Sequence, residues 1–243
     1  MGRFLVGCAG WSLPRKHQAL FEARGSHLAS YASRFPAVEI NSSFYRPHRR
    51  TTWARWGAAV PPAFRFSVKV PRTITHERRL VDVAALLDVF LAEVGALEER
   101  LGCLLVQLPP SLAWDPGTAE SFFRELRSRF AGIVAVEPRH PTWFDAEVDS
   151  TLRSIQIARV AADPAVVPAA AVPSGWPGQR YYRMHGSPRT YWSAYEPPAL
   201  DALAGRIRQH GKEGTPVWCI FDNTAADAAI PDALALLERL QPA

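Results

Sequence analysis

Short runs of β-branched and aromatic residues alternate along the chain with stretches whose apolar residues recur at helical spacing. Eight runs read as strands: Phe4–Cys8, Ala37–Asn41, Phe64–Val70, Cys103–Leu108, Ile133–Glu137, Ala158–Asp163, Arg180–His185 and Val217–Asn223. The clearest helical stripe comprises Val83, Leu86, Leu87, Phe90, Leu91, Val94, Leu97 and Leu101. Three others are Phe122, Phe123, Leu126 and Phe130; Leu200, Leu203 and Ile207; and Leu234, Leu236, Leu237 and Leu240. Strands alternating with helices predict βα units and a parallel sheet. Eight units in 243 residues predict one α/β domain over residues 1–243, a TIM-like (β/α)8 barrel. The proline-rich stretch from Pro164 to Pro177 is expected to be a loop or at most a short helical turn. A doubly wound open sheet is the structural alternative. Gly7-Cys8-Ala9-Gly10-Trp11 lacks the phosphate-binding fingerprint that such a sheet uses for nucleotides.

Polarity alternates inside the strands. Arg65, Ser67 and Lys69 share a face opposite Phe64, Phe66, Val68 and Val70, and Tyr181, Arg183 and His185 lie opposite Tyr182 and Met184. The apolar face is expected to meet helices and the polar face the interior. Strand ends turn polar: Glu39 and Asn41, Lys69, Gln107, Glu137, Asp163, Arg183 and His185, then Asp222 and Asn223. A barrel carries its active site at this C-terminal mouth. Burying so many ionisable groups costs free energy unless they pair or meet a ligand.

The candidate catalytic residues are therefore Glu39, Lys69, Glu137 and His185. Glu39 and Glu137 are the acid/base pair, with pKa values pushed apart by environment. His185 and His140 would shuttle protons, and Lys69, Arg139 and Arg183 would hold an anionic group. Asn41, Gln107 and Asn223 would orient the substrate. Trp11 and Tyr45 stand among aromatics that either stack on a ligand or cap the core. Asn41-Ser42-Ser43 with Tyr45-Arg46 reads as an anion cradle or as a plain helix cap. Lys69 has two readings, a compact charge with a tunable pKa or an ion-pair partner of Glu39. Glu137→Gln is expected to abolish turnover with little change in melting temperature.

Composition narrows the classes. At 48% hydrophobic and 21% charged residues the chain is an ordinary globular protein, and no apolar run approaches the roughly 18–20 residues of a spanning helix. Net charge is +5 and the isoelectric point 9.4, yet only Lys16, Lys69 and Lys212 are lysines among 28 cations. That balance fits either a coding bias toward arginine or an anionic partner. Cys8, Cys103 and Cys219 lie far apart in apolar runs, as buried reduced thiols do. No charged region and apolar segment precede Leu5-Val6-Gly7-Cys8, and Val6 stands where myristoylation of Gly2 wants Ser or Thr. A cytoplasmic location is expected.

The leading reading is an enzyme for a small polar substrate, sugar-like or phosphorylated, with no cofactor. A retaining glycosidase fits less well, because Gln107 and His185 occupy strand ends where barrel glycosidases carry carboxylates. A metal-dependent hydrolase or isomerase is an alternative, with Glu39, Glu137, Asp163 and His185 as ligands to a divalent metal, although Lys69 and Arg183 would repel it. A nucleic-acid-binding or nuclease-type barrel is another, resting on Arg46, Arg49, Arg50 and Arg55.

Several motifs are long enough to be specific. They are Gly7-Cys8-Ala9-Gly10-Trp11-Ser12, Val38-Glu39-Ile40-Asn41-Ser42-Ser43-Phe44-Tyr45-Arg46, Phe66-Ser67-Val68-Lys69 with Ile74-Thr75-His76, and Leu105-Val106-Gln107-Leu108-Pro109-Pro110-Ser111. Val136-Glu137-Pro138-Arg139-His140 with Trp143, Tyr182-Arg183-Met184-His185-Gly186, and Phe221-Asp222-Asn223-Thr224 complete the set. In these stretches, in order and over nearly the whole chain, the sequence resembles the domain-of-unknown-function family 72, the YecE-like proteins. The resemblance implies a TIM-like barrel and supplies no activity. Asp232 stands where Asn is common in that family.

Overall fold

The strand-forming runs become β1 (Phe4–Cys8), β2 (Ala37–Ile40), β3 (Arg65–Lys69), β4 (Leu101–Gln107) and β5 (Val134–Glu137). After them come β6 (Ile157–Arg159), β7 (Ala161–Asp163), β8 (Ser174–Gly175), β9 (Arg180–Met184) and β10 (Val217–Phe221). The helices are α1 (His27–Tyr31), α2 (Arg50–Ala58), α3 (Ala84–Val94), α4 (Pro116–Arg129), α5 (Ala146–Ser154), α6 (Pro197–Lys212) and α7 (Ala229–Leu240). This is a computed structural model, and it describes residues 3–241; Gly2 lies outside them. Among the described residues no helix is long and apolar enough to cross a membrane.

Local chemistry sets the helix ends. Asp115 caps α4 by accepting from Thr118 N at 2.8 Å, Pro116 sits in its first turn, and Arg127 and Arg129 face the negative end of the helix dipole. The stripe from Val83 to Leu101 is not one helix. α3 stops at Gly95, a tight turn with Glu98 at φ 52° follows, and Leu101 opens β4 instead of closing a helix. Most of the Pro164–Pro177 stretch is loop, with one short turn at Pro168–Ala171. Ser174 and Gly175 form an unforeseen antiparallel pairing with β6.

The strands form two sheets rather than one continuous ladder. One is ordered β1-β10-β9-β7 and the other β2-β3-β4-β5-β6-β8, parallel throughout apart from β8. The sheets meet at two seams. At one, the expected sixth strand divides: β6 pairs with β5, β7 pairs with β9, and Val160 between them donates to Val136 O at 2.9 Å. At the other, Ala9 bridges to Glu39, and Gly10 N donates to Glu39 O at 2.9 Å. Tyr31 fills the remainder of that seam. Its hydroxyl accepts from Cys8 N at 2.8 Å and donates to Ala37 O at 3.0 Å, joining two strands that share no ladder there.

Alternation then sorts the side chains. Val6, Val38, Phe66, Val68, Leu104, Val106 and Val136 face the helices in the large core. The opposite faces of both sheets contribute Leu5, Ala37, Cys103, Leu105, Ala135, Ala158, Val160, Tyr181, Trp218 and Ile220 to one smaller cluster. Two residues further along several of these strands stand the polar groups of the site. All three cysteines are buried free thiols.

The Tyr31 seam is testable. Tyr31→Phe strands a buried N–H and a buried C=O and is expected to cost about 1–3 kcal/mol. Gly7→Ala places a Cβ 2.0 Å from Ala37 O, a backbone clash that should cost at least as much. Chemical denaturation of both variants measures the loss.

Candidate active site

Parallel strands end on the same side, so inward positions at their C-termini converge. Arg183, fully buried near the end of β9, stands at the centre. Its Nε donates to Glu39 Oε2 at 3.0 Å and its Nη2 to Glu39 Oε1 at 2.6 Å. Nη1 donates to Glu137 Oε2 at 2.6 Å, and Nη2 also reaches Asp222 Oδ2 at 3.0 Å. One guanidinium thus serves three carboxylates, two from one sheet and one just beyond β10 of the other. Below it, the Tyr181 hydroxyl lies 3.1 Å from Glu39 Oε2 and 2.8 Å from Ser67 Oγ, with its one proton to donate between them, and so spans the two sheets.

His185 completes the cage. Its Nδ1 lies 3.2 Å from Asp222 Oδ2 and its Nε2 2.9 Å from Glu137 Oε1. Both partners accept, so both ring nitrogens donate. Burial opposes that charge, but Glu137 and the two hydrogen bonds outweigh it and raise the pKa. Burial likewise opposes ionisation of Glu137, yet Arg183, His185 and Arg139 hold its carboxyl well below the usual range. Asp222 is lowered in the same way, against its burial, chiefly by Arg183 and by its hydrogen bond from His185. Glu39 and Glu137, the expected acid/base pair, both accept from the Arg183 guanidinium. The surroundings favour the ionised form of Glu137 and the protonated form of His185, each held in the cage by the other's hydrogen bond.

Two cations stand above the cage. Arg139 Nη2 donates to Glu137 Oε1 at 3.2 Å and its Nη1 to Tyr191 Oη at 3.2 Å. With Glu137, His185, Phe144, Ala162 and Thr190 it lines a recess of about 220 Å³. Lys69 Nζ lies 3.9 Å from the centre of the Phe44 ring. Among the described residues no carboxylate oxygen comes within 4.0 Å of it, so it is not the ion-pair partner of Glu39. Burial, then repulsion from Arg183, lower its pKa to about 8 despite the three carboxylates nearby.

Phe44 also touches His76, ring edge to ring face at 4.9 Å. Burial and the nearby charges of Lys69, Arg72 and Arg139 lower the pKa of His76 to about 4, so its imidazole is neutral. His76 and Asp222 are the residues that the sequence reading left out of the site. Strand alternation identifies Asp222, because Trp218 and Ile220 point inward and Asp222 shares their parity.

The same parity removes Asn223. Its Nδ2 donates to Asp232 Oδ2 at 2.7 Å and to Ser193 O at 2.9 Å, tying the end of β10 to α7 and a neighbouring loop. Asp163 also turns outward, with Oδ1 accepting from Tyr195 Oη at 2.8 Å, so the four-ligand metal set does not assemble. Trp11 packs edge-on against Trp56 at 5.0 Å, and Ser42 Oγ meets His48 Nε2 at 2.8 Å. Tyr45 is exposed and leans on Phe44. His140 caps a short turn, its Nδ1 accepting from Thr142 N at 3.4 Å. Gln107 is buried at the end of β4, its Nε2 donating to Leu108 O at 3.2 Å. Asn41 caps nothing with its side chain, and its Oδ1 is buried without a partner.

Comparison with known proteins identifies the family without identifying a reaction. The UPF0759 protein YecE of Escherichia coli (strain K12) is 30% identical over 149 residues, 60% of this chain and 53% of that protein. The chain spans about half the length of the curated relatives it matches. Its fold is similar to that of a DUF72 family protein from Enterococcus faecalis V583, with TM-score 0.83 and 23% identity over 100% of this chain and 96% of that one. A DUF72 family protein from Thermotoga maritima MSB8 gives 0.80 and 23% over 98% and 99%. The family model described as "Protein of unknown function DUF72" matches residues 5–243, and the chain belongs to that family.

Proposed function

We propose that the two sheets are halves of one (β/α)8 barrel, and that its C-terminal mouth is the active site of an enzyme for a small anionic substrate, sugar-like or phosphorylated. Closure rests on the two seams and on Tyr181 and Arg183, whose bonds pass from one sheet to the other. The observation that carries the substrate class is Lys69, a buried cation with no carboxylate partner beside a cage that satisfies itself. Glu39, Glu137 and Asp222 pair with Arg183, and Glu137 also with Arg139 and His185, whereas the Lys69 ammonium is excess charge with no ion pair among the described residues. An anion is the guest that this excess charge favours. Lys69 and Arg139 hold it, Asn41 and Gln107 orient its polar groups, and the cage keeps both cations in place.

The donors do not suit a divalent cation. Glu39, Glu137 and Asp222 spend oxygens on Arg183, and His185 spends both nitrogens on carboxylates. Among the described residues no group of three or more His, Cys, Asp or Glu is arranged to hold a metal. Arg46, Arg49, Arg50 and Arg55 are exposed in and just before α2 and, among the described residues, form no ion pair with the cage; the buried Lys69 rather than this exposed cluster carries the small-ligand reading.

Glycerol 3-phosphate, with glycerol as the neutral control, tests the reading by calorimetry. Saturable binding is expected for the phosphate alone, weakened roughly tenfold or more by Lys69→Met and by Arg139→Met. Absence of binding, or a Lys69→Met variant that binds equally well, overturns it. The pH dependence has a definite sign. Lys69 is depressed to about 8, so its charge is present below that value and lost above it. Affinity should fall as pH rises through about 8, and the fall should vanish in Lys69→Met.

Cage and ligand roles separate in stability. Arg183→Met removes the guanidinium that three buried carboxylates share, leaves Glu39 with no ion-pair partner among the described residues, and should cost about 3–5 kcal/mol or prevent folding. Glu137→Gln breaks the same network, so thermal unfolding should show a loss of several degrees rather than an unchanged melting temperature.

A further inference from the structure

Resting on the anionic-substrate reading, we propose that Lys69 takes an aldehyde or ketone that carries the anionic group and holds it as a covalent imine. The chain has three lysines, and Lys16 and Lys212 are exposed while Lys69 retains only 5% of its surface. Its stem is fixed by β3, and the Ser43 hydroxyl clamps the strand end by donating to Lys69 O at 2.7 Å. Phe44 lies under Nζ, and among the described residues no hydrogen-bond acceptor holds the amine in place. The amine is therefore positioned and uncommitted, which no arginine would be.

The electrostatics around it favour the reactive form. Burial and the neighbouring Arg183 oppose the charge on Lys69, and Glu39, Glu137 and Asp222, which favour it, are tied to Arg183. A lysine desolvated beside another cation is the arrangement that activates an amine toward carbonyls. Near neutral pH, a pKa of about 8 leaves roughly a hundredfold more neutral amine than an ordinary lysine has.

The step balances without a further reagent. Nζ, after releasing one proton to water, adds its lone pair to the carbonyl carbon as the C=O π pair moves to oxygen. Oxygen takes a proton and nitrogen loses one, giving the neutral carbinolamine. A second proton on that oxygen lets it depart as water when the nitrogen lone pair forms C=N. The net change is amine plus carbonyl to protonated imine plus water, with one proton taken up. Solvent water takes and returns these protons, since His76, its pKa lowered to about 4, is too weak a base to do so near neutral pH.

Borohydride reduction of the full chain with glyceraldehyde 3-phosphate, followed by peptide mass mapping, tests this directly. Allowing for a weaker nucleophile and restricted access, the adduct on Lys69 should exceed those on Lys16 and Lys212 by roughly tenfold. Its formation should rise with pH through about 8, and glycerol 3-phosphate should suppress it. Lys69→Arg, checked for folding by circular dichroism, should leave only the low labelling of the two exposed lysines. Labelling of Lys69 no greater than that of Lys212, while glycerol 3-phosphate still binds, overturns the imine and spares the anionic-substrate reading. If neither compound binds or reacts, both fall.

Discussion

The arrangement turns on one guanidinium that must not be left without carboxylates. An arginine removed from water loses several kcal/mol of hydration that only close, well-directed acceptors restore. Arg183 is fully buried and finds them on Glu39, Glu137 and Asp222, which come from both sheets. That requirement acts on the backbone. β2 and β5 of one sheet must face β9 and β10 of the other at hydrogen-bond range, with each strand in the register that turns its last acidic residue inward. A shift of one residue would exchange Glu39 for Ile40 and Asp222 for Asn223, and the charge would be stranded.

Such a network is an unlikely choice for stability alone, since well-packed apolar residues usually serve as well. Its worth lies in what it does to its neighbours. By absorbing Glu39, Glu137 and Asp222, Arg183 leaves Lys69 without an anion of its own. By presenting acceptors at both nitrogens, Glu137 and Asp222 favour the protonated form of His185 and raise its pKa. The same arrangement that satisfies most of the charges thus creates one unsatisfied cation, and that cation is the strongest chemical feature of the mouth.

Much of this was legible in the residues. The eight strand runs, the polar strand ends and the convergence of Glu39, Lys69, Glu137, Arg139, Arg183 and His185 follow from alternation and from parallel βα order. The failures have physical causes. Asn223 and Asp163 were read by their position at strand ends, although the period of two turns both away from the interior. The end of α3 escaped periodicity because Leu97 and Leu101 continue a helical spacing through a turn that only the positive φ of Glu98 allows. The roles of Trp11, Ser42, Tyr45 and His140 depend on loop paths, where no periodicity guides the reading. His76 lies in a recognisable motif, but nothing in the sequence shows that Phe44 brings it beside Lys69.

The floor of the site explains why a single displaced charge can matter. Beneath Arg183 and Tyr181 the inward faces supply Leu5, Ala37, Cys103, Leu105, Ala135, Val160, Trp218 and Ile220, a packed apolar layer. That layer screens charge poorly, so Lys69, Arg183 and the three carboxylates act on one another strongly. An arginine at position 69 would spread its charge over a fork of five donors and bind an anion without ever giving up a proton. A lysine there can shed its proton near neutral pH and become a nucleophile. Among the three lysines of an arginine-rich chain, the one at the end of β3 is buried and has its pKa lowered to about 8.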